Sequence, residues 1–589
     1  MNVGFIRKSF VIFLLLAIAL NVSLIAKKVD IKIVVTSDIH ATVFPYDFIN
    51  NMPLGYGLAN VQYLMESVKG EYQNKIILLD NGDLIQGQPT AYWANNIDKN
   101  KVNLFARIMN FMKYDAVTVG NHDIEAGPDV YNNIKKQMQA PWLGANIIDE
   151  KTGEPYFTPY VIINRSGVKI AVLGMVTPAL TYWIPEKLYK GLVIQDMVEA
   201  AEYWVAHIKE KEAPDAIIGL FHSGFGDFDP KDPNKKLVDN LSAYIAHYIP
   251  GFDVIFTGHD HLEHNKFVIN KNGDSVLVIG PGPHGKNVAV AHLDFDREAK
   301  RKFKLSAKRG EVYKIAGLPP SVNYLNRFEK DISEVFEYSI QKVGSTTTDI
   351  SIKESLFGNS SAVDFIHQVQ LHFSDADISF AAPLNPDLFI RAGDIRVRDM
   401  FKWYPFENYL CTMELTGNEI KNFLEYNYGL WFNYMVEEND LLLNYRLDSL
   451  GNPDSRYNGT SMLQKRIYNF DSAAGIKYTV DVSKPQGERI TIHQMETGEE
   501  FLLEKRYKVA LNSYRGSGGG FHMVKGAGIS QNELRDRVVD VNDTILRLLM
   551  IEYIKSLNKI SPEPRNNWNI IPLDWVEKAK LKEVNILWP

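Results

Sequence analysis

Residues 31–40 read IKIVVTSDIH, and four further segments share their plan. IILLDNGD spans residues 76–83, AVTVGNHD residues 116–123, IIGLFH residues 217–222 and VIFTGHDH residues 254–261. In each, a short Val/Ile/Leu-rich run ends in a residue type that binds metals. A continuous apolar run is the mark of a strand buried on both faces, as in a parallel sheet covered by helices. In open α/β sheets, ligands collect just beyond the carboxyl ends of such strands. Asp38, His40, Asp83, Asn121, His222, His259 and His261 are therefore expected to meet along one rim of a sheet.

These donor types suit divalent first-row metals, which accept imidazole and carboxylate in mixed sites. Asp38 and His40, two apart on a chain leaving a strand, reach the same side. Asp83 follows Gly82, where a missing side chain lets backbone approach a charged centre, and its carboxylate can bridge two ions. Asn121 adds a neutral carbonyl oxygen. Paired cations about 3.5–4 Å apart clamp a phosphoryl group and hold attacking and leaving oxygens in line. The pattern points to metal-assisted hydrolysis of phosphate esters. D-x-H or H-x-H alone would carry little weight; the weight lies in all of these residues recurring at strand ends.

The chain has 589 residues, too many for one core, so two domains are expected. It is 45% hydrophobic and 23% charged, with a net charge of −7. That is no footprint for a nucleic-acid polymer, while a small phosphate ester would be met by the metals. Arg7 and Lys8 precede an apolar run from Phe10 to Leu20, followed by a mixed stretch from Asn21 to Ala26. This is the layout of a secretory signal peptide over residues 1–26, with a retained membrane anchor as the alternative. Export to a bacterial periplasm or the cell exterior follows. Cys411 is the single cysteine, which excludes an intramolecular disulfide and a lipidated N-terminal cysteine.

Residues 28–315 alternate strand-like with helix-like runs, the pattern of an α/β domain. LANVQYLMESVKG after Gly57 and the stretch from Ile194 have helical spacing. After Pro319-Pro320, residues 316–344 hold a long helix linking the domains. A second α/β region covers residues 345–555. The tail, residues 556–589, shows no period from Ser561 onward and reads as an extended segment packed on the surface.

DIH, NGD, GNHD, FHSG and GHDH together resemble the motifs of the calcineurin-like metallophosphoesterases, in particular their exported nucleotidase branch. GYGLAN (Gly55–Asn60) and LGANI (Leu143–Ile147) resemble further segments of that branch. The resemblance implies a first domain built as two β-sheets flanked by helices and a second that binds nucleotides. It implies one metal on Asp38, His40, Asp83 and His261 and another on Asp83, Asn121, His222 and His259, with a hydroxide between them attacking phosphorus. It makes His122 a general acid rather than a ligand, held by Glu125, where many relatives carry Asp. Asp123 then falls to an outer-shell or structural role. Zinc, manganese, iron and cobalt are not distinguished by such a donor set.

The resemblance extends to the second half. GNSSAVDFI (Gly358–Ile366), WYPFENYL (Trp403–Leu410) and NSYRGSGGGF (Asn512–Phe521) look like parts of the nucleotidase C-terminal domain. There, two aromatic rings sandwich the base, and the matching residues are Phe406, with Tyr404 as its competitor, and Tyr514. Within Gly518–Gly520, Gly519 would let backbone approach the ligand. DISFAAPLNPDLFIRAGDIR (Asp377–Arg396) departs from the NGGGIR pattern of typical 5'-nucleotidases. Its AAP segment, with YNFDSAAGIKYTVDVSKPQGERI (Tyr468–Ile490), resembles the 2',3'-cyclic-nucleotide 2'-phosphodiesterase/3'-nucleotidase subgroup. Loss of that arginine leaves Arg391, Arg396 and Arg515 as candidate phosphate contacts. The expectation is a nucleotide phosphohydrolase of this subgroup. The alternatives are a 5'-nucleotidase, a nucleotide-sugar hydrolase, a retired nucleotide-binding surface protein and, more distantly, a sulfur-ester hydrolase. Oligomeric state is left open.

Overall fold

The computed structural model describes residues 28–72, 74–98, 102–226, 239–297 and 302–589, so the signal peptide expected over residues 1–26 lies outside the described residues. Two six-stranded sheets organise the first domain. Their strands are β1 (Val29–Thr36), β2 (Ile76–Asp80), β3 (Ala116–Thr118), β4 (Trp142–Leu143), β5 (Tyr160–Arg165), β6 (Val168–Val176), β7 (Ala216–His222), β8 (Val254–Thr257), β9 (Glu263–Ile269), β10 (Ser275–Pro281), β11 (Asn287–Arg297) and β12 (Phe303–Lys314). One sheet runs β12-β11-β1-β2-β3-β4 and the other β9-β10-β8-β7-β6-β5.

Burial on both faces of the second half of β1 explains its apolar run Ile33–Val35, while the half-buried Asp30 and Lys32 lie nearer its start. Val29, Ile31, Ile33 and Val35 face the core between the sheets, where they join Ile170, Val172, Ile218 and Leu220. Val34 faces the other way, into a core shared with helices. Parallel pairing sets the strand ends level: Thr36 lies beside Asp80 across β1–β2, and Phe221 beside Thr257 across β7–β8. Two bonds tie the sheets together there, Asn81 Nδ2 donating to the Phe221 carbonyl (2.9 Å) and Thr118 Oγ1 to the Leu220 carbonyl (3.2 Å). The expected single rim is thus two rims facing each other. The physical reason is that β1–β3 and β7–β8 belong to different sheets, which strand-by-strand patterning does not reveal.

The helices expected from apolar spacing form as α1 (Leu58–Tyr72), α2 (Met197–Glu212) and α3 (Val322–Ile340). Ser321 caps α3 by accepting from the Tyr324 amide (3.2 Å). Its buried face, Tyr324, Phe328, Asp331, Val335 and Tyr338, recurs at three- and four-residue steps. Tyr324 and Phe328 pack on Phe44 and Phe111, and Asp331 pairs with Arg107. Tyr338 stacks on Tyr92 at 6.0 Å. The helix therefore lies along the first domain over its length. The second domain centres on a five-stranded sheet with spatial order Ser472–Ala474, Ile378–Ala381, Arg506–Asn512, Tyr409–Thr416, Val538–Ile545.

The tail is not an extended surface segment. Trp568–Ile571 pairs in parallel with Ile476–Asp481, and α4 (Leu573–Leu587) follows. Trp568 is fully buried, stacked on Tyr478. The buried stripe of α4 is Val576, Ala579, Glu583 and Leu587. A carboxylate in that stripe hides its period. Glu583 is buried because it accepts the Leu442 and Leu443 amides (2.5 and 3.0 Å); burial nonetheless pushes its pKa up to about 7. Glu583→Ala would leave two buried donors unpaired, at about 1–3 kcal/mol each. Urea denaturation should show a loss of several kcal/mol, and a wild-type midpoint would remove this bracing role.

Candidate metal centre

Two groups of donor atoms converge where the sheets meet: Asp38, His40 and His261, and Asp83, His222 and His259. The side chains of each group approach closely. His40 Nε2 and His261 Nε2 lie 3.0 Å apart, and Asp38 Oδ1 is 3.5 Å from His261 Nε2. Asn121 Oδ1 is 2.9 Å from His259 Nδ1 and 3.1 Å from His222 Nε2. Asp83 Oδ2 stands between the groups, 3.1 Å from His222 Nε2 and 4.0 Å from His40 Nε2. All seven candidate ligands are thus brought together.

The backbone holds this arrangement at a cost. Asp38, His40, Asp83, His259 and His261 all have positive φ, between 46° and 71°. A non-glycine residue there costs roughly 1 kcal/mol or more. Gly82, between β2 and Asp83, has φ +90°, and a Cβ would come within 2.6 Å of the Gly120 nitrogen. Asp123 braces the two loops from below: fully buried, it accepts from the amides of Gly120 (2.8 Å), Asp83 (3.0 Å) and Leu84 (3.0 Å). Burial, and then the neighbouring Asp83, push its pKa up to about 6.

The imidazoles are oriented by partners that sequence reasoning missed. His40 Nδ1 meets Gln86 Oε1 (3.0 Å), His222 Nδ1 the Asn81 carbonyl (2.6 Å), and His259 Nε2 Asp239 Oδ1 (2.7 Å). Each partner fixes a tautomer and leaves the other nitrogen facing the donor group. Gln86, in the same loop three residues after Asp83, carried a local signal; Asp239, distant in sequence from His259, carried none. Trp183 stacks on His259 at 5.3 Å and was also missed. Facing imidazole nitrogens with two carboxylates and an amide oxygen are the donor chemistry of divalent transition metals, so the residues fit two such ions.

His122 stands beside this centre with Nδ1 2.5 Å from Glu125 Oε2. Its own amide donates to Asp83 Oδ1 (2.9 Å). Burial opposes charge on the ring, but Asp83 and Glu125 outweigh it and raise its pKa to about 9. Cations held by Asp83 would oppose that rise.

A cleft of about 280 Å³ opens from His122, Glu125 and His259 into the second domain, where Phe406, Tyr468 and Tyr514 line it. Phe406 and Tyr514 thus face one cavity. Tyr404 does not: it is 1% exposed in the core, and its carbonyl accepts from buried Arg547 (3.0 Å). Gly519 is buried under Tyr514, and a Cβ on it would fall 2.5 Å from that ring. Its smallness seats the aromatic ring rather than a ligand. Arg515 is not a phosphate contact either. Its guanidinium is fully buried and pairs with Asp471 (2.7 Å), because the SYRG turn points it inward beneath the loop. Arg396 donates to the Ile340 carbonyl (2.9 Å), Arg391 is exposed, and neither lines the cleft.

The calcineurin-like phosphoesterase family matches residues 31–263, and the 5'-nucleotidase C-terminal domain matches residues 342–526. The chain is 26% identical to the 2',3'-cyclic-nucleotide 2'-phosphodiesterase/3'-nucleotidase of Salmonella typhimurium, over 95% of its own length and 91% of that protein's. It is 27% identical to the trifunctional nucleotide phosphoesterase of Bacillus subtilis over 93% of its length, but spans only 39% of that longer protein. The solved 5'-nucleotidase precursor of Thermus thermophilus shares the fold, with a TM-score of 0.60, 20% identity and coverage of 92% and 99% of the two chains. The strand-end donors, the paired sheets and the two matched regions together identify a calcineurin-like phosphoesterase domain followed by a 5'-nucleotidase C-terminal domain in this chain.

Proposed function

We propose that the protein is an exported, two-metal nucleotide phosphohydrolase that opens 2',3'-cyclic nucleotides and then removes the 3'-phosphate. The observation carrying this reading is the continuous cleft from His122 and His259 to the rings of Phe406 and Tyr514. A phosphate at one end and a base at the other span the two domains. Asp38, His40, Asp83 and His261 would hold one cation, and Asp83, Asn121, His222 and His259 the other. Cations bound there would supply Lewis-acid charge to the phosphoryl oxygens and lower the pKa of water. Glu125 accepts the Nδ1 proton of His122, so Nε2 is the atom that delivers a proton to the departing ribose oxygen. Trp183 covers His259 and keeps water from its outer face. The likeness to the Salmonella protein along nearly the whole chain supports the choice of ester. No helix among the described residues is long and apolar enough to cross a membrane; export rests on the N-terminal sequence.

Side-by-side assays with cyclic 2',3'-AMP, 3'-AMP, 5'-AMP and UDP-glucose test the reading. The first two should be turned over with the highest kcat/KM. Preference for 5'-AMP or UDP-glucose would replace it with a 5'-nucleotidase or a nucleotide-sugar hydrolase. Phe406→Ala and Tyr514→Ala should each lose stacking of about 1–3 kcal/mol, or about tenfold to a hundredfold in kcat/KM for nucleotides. Nitrophenyl phosphate, which has no base, should be hydrolysed almost as by wild type. Parallel losses on both esters with a lowered melting temperature would return these rings to the core.

A further inference from the structure

Tyr468 stands edge-on to both rings of the base clamp. It meets Phe406 at 5.8 Å and 82°, and Tyr514 at 6.4 Å and 90°. Two rings perpendicular to a third can lie parallel to each other, with a flat base between them. Such a base would meet Tyr468 across its own edge. A ring placed there limits how far the base extends, which separates a two-ring purine from a one-ring pyrimidine.

Tyr468 and the Tyr514 loop are both referenced to one buried cation. Arg515 donates to the Tyr468 carbonyl (3.0 Å) and the Gly519 carbonyl (2.5 Å), and pairs with Asp471 (2.7 Å). Gly519 is the residue on which the Tyr514 ring rests. Asp471 is in turn fixed by Asn427, which accepts its amide (2.8 Å) and donates to its carbonyl (2.6 Å). A charge this buried persists only when paired; Nε has no partner, but the two terminal nitrogens reach Asp471, the Tyr468 carbonyl and the Gly519 carbonyl, so the guanidinium holds the two segments in one relative position.

We propose that Tyr468 is a third wall of the nucleobase pocket that sets purine-against-pyrimidine preference, and that Arg515 is the positioning residue for it and for Tyr514. The proposal rests on the nucleotide reading above. The test measures kcat and KM of wild type, Tyr468→Ala, Tyr468→Leu and Arg515→Lys. The substrates are the 2',3'-cyclic phosphates of adenosine and uridine, with nitrophenyl phosphate as the ester lacking a base.

Tyr468→Ala should change the adenosine-to-uridine ratio of kcat/KM by about tenfold, the scale of one ring contact. Tyr468→Leu keeps apolar bulk in the site and should change the ratio in the same direction. Its result stands if the alanine variant unfolds. Arg515→Lys should raise KM for both nucleotides several-fold while leaving kcat on nitrophenyl phosphate at the wild-type value. An unchanged ratio in a folded Tyr468 variant overturns the specificity role. Equal losses on all three esters for Arg515→Lys overturn the positioning role in favour of a purely structural one. Wild type inert toward every nucleotide overturns the nucleotide reading and this one together. Wild type active on nucleotides with an unchanged ratio in the Tyr468 variants overturns this one alone.

Discussion

Asp83→Ala is expected to abolish turnover and to leave well under two cations per chain. Its Oδ2 stands 3.1 Å from His222 Nε2 and 4.0 Å from His40 Nε2, so one carboxylate serves both donor groups. Its other oxygen accepts the His122 amide at 2.9 Å, which ties His122 to the centre. Alanine removes the anionic bridge and leaves each group with neutral imidazoles and one remaining carboxylate or amide. Lewis-acid stabilisation of a transferring phosphoryl group is worth several kcal/mol, about 10³-fold or more in rate. Metal content by mass spectrometry and kcat on a nucleotide are the readouts, with circular dichroism to confirm folding. Two bound ions and wild-type turnover would sink the bridging role.

His122→Ala should keep both metals and cut kcat by roughly 10²–10⁴, the range for a positioned proton donor. The geometry supports donation rather than ligation: Nδ1 is committed to Glu125 at 2.5 Å, and the ring lines the cleft beside the donor groups. The loss must depend on the leaving group. A ribose oxygen leaves as a strong base and needs its proton, while nitrophenolate departs without one. The variant should therefore be much closer to wild type on nitrophenyl phosphate. Equal losses on both esters would give His122 another role, such as orienting the phosphate.

The convergence of the candidate donors was legible because its information is local. Each donor sits within a few residues of a buried strand end, and runs such as IKIVVTS mark those ends without any knowledge of the sheet order. The number of sheets came from the family resemblance and not from the strand patterning, because β1–β3 and β7–β8 read alike whether they share a sheet or face each other. Side chains whose environment inverts their type were misjudged for one common reason. Arg515, Glu583 and Tyr404 are polar or amphipathic residues buried by partners far away in sequence, among them Asp471, the Leu442 and Leu443 amides and Arg547. A one-dimensional reading assigns such residues to the surface or to a ligand. Tyr468 was passed over because a tyrosine inside a single short helical turn, Ile467–Asn469, carries no periodic signal.

The positive φ angles of five donor residues also make these positions hard to change. Asp38, His40, Asp83, His259 and His261 sit in a web of protein contacts, among them Gln86 on His40, Asp239 on His259 and Asp123 beneath the amide of Asp83. A β-branched or bulky side chain at any of the five would be a backbone outlier. Glycine alone would take up the conformation without strain, and it carries no donor. Substitution can therefore relax these loops only by giving up the side chains they were shaped to present.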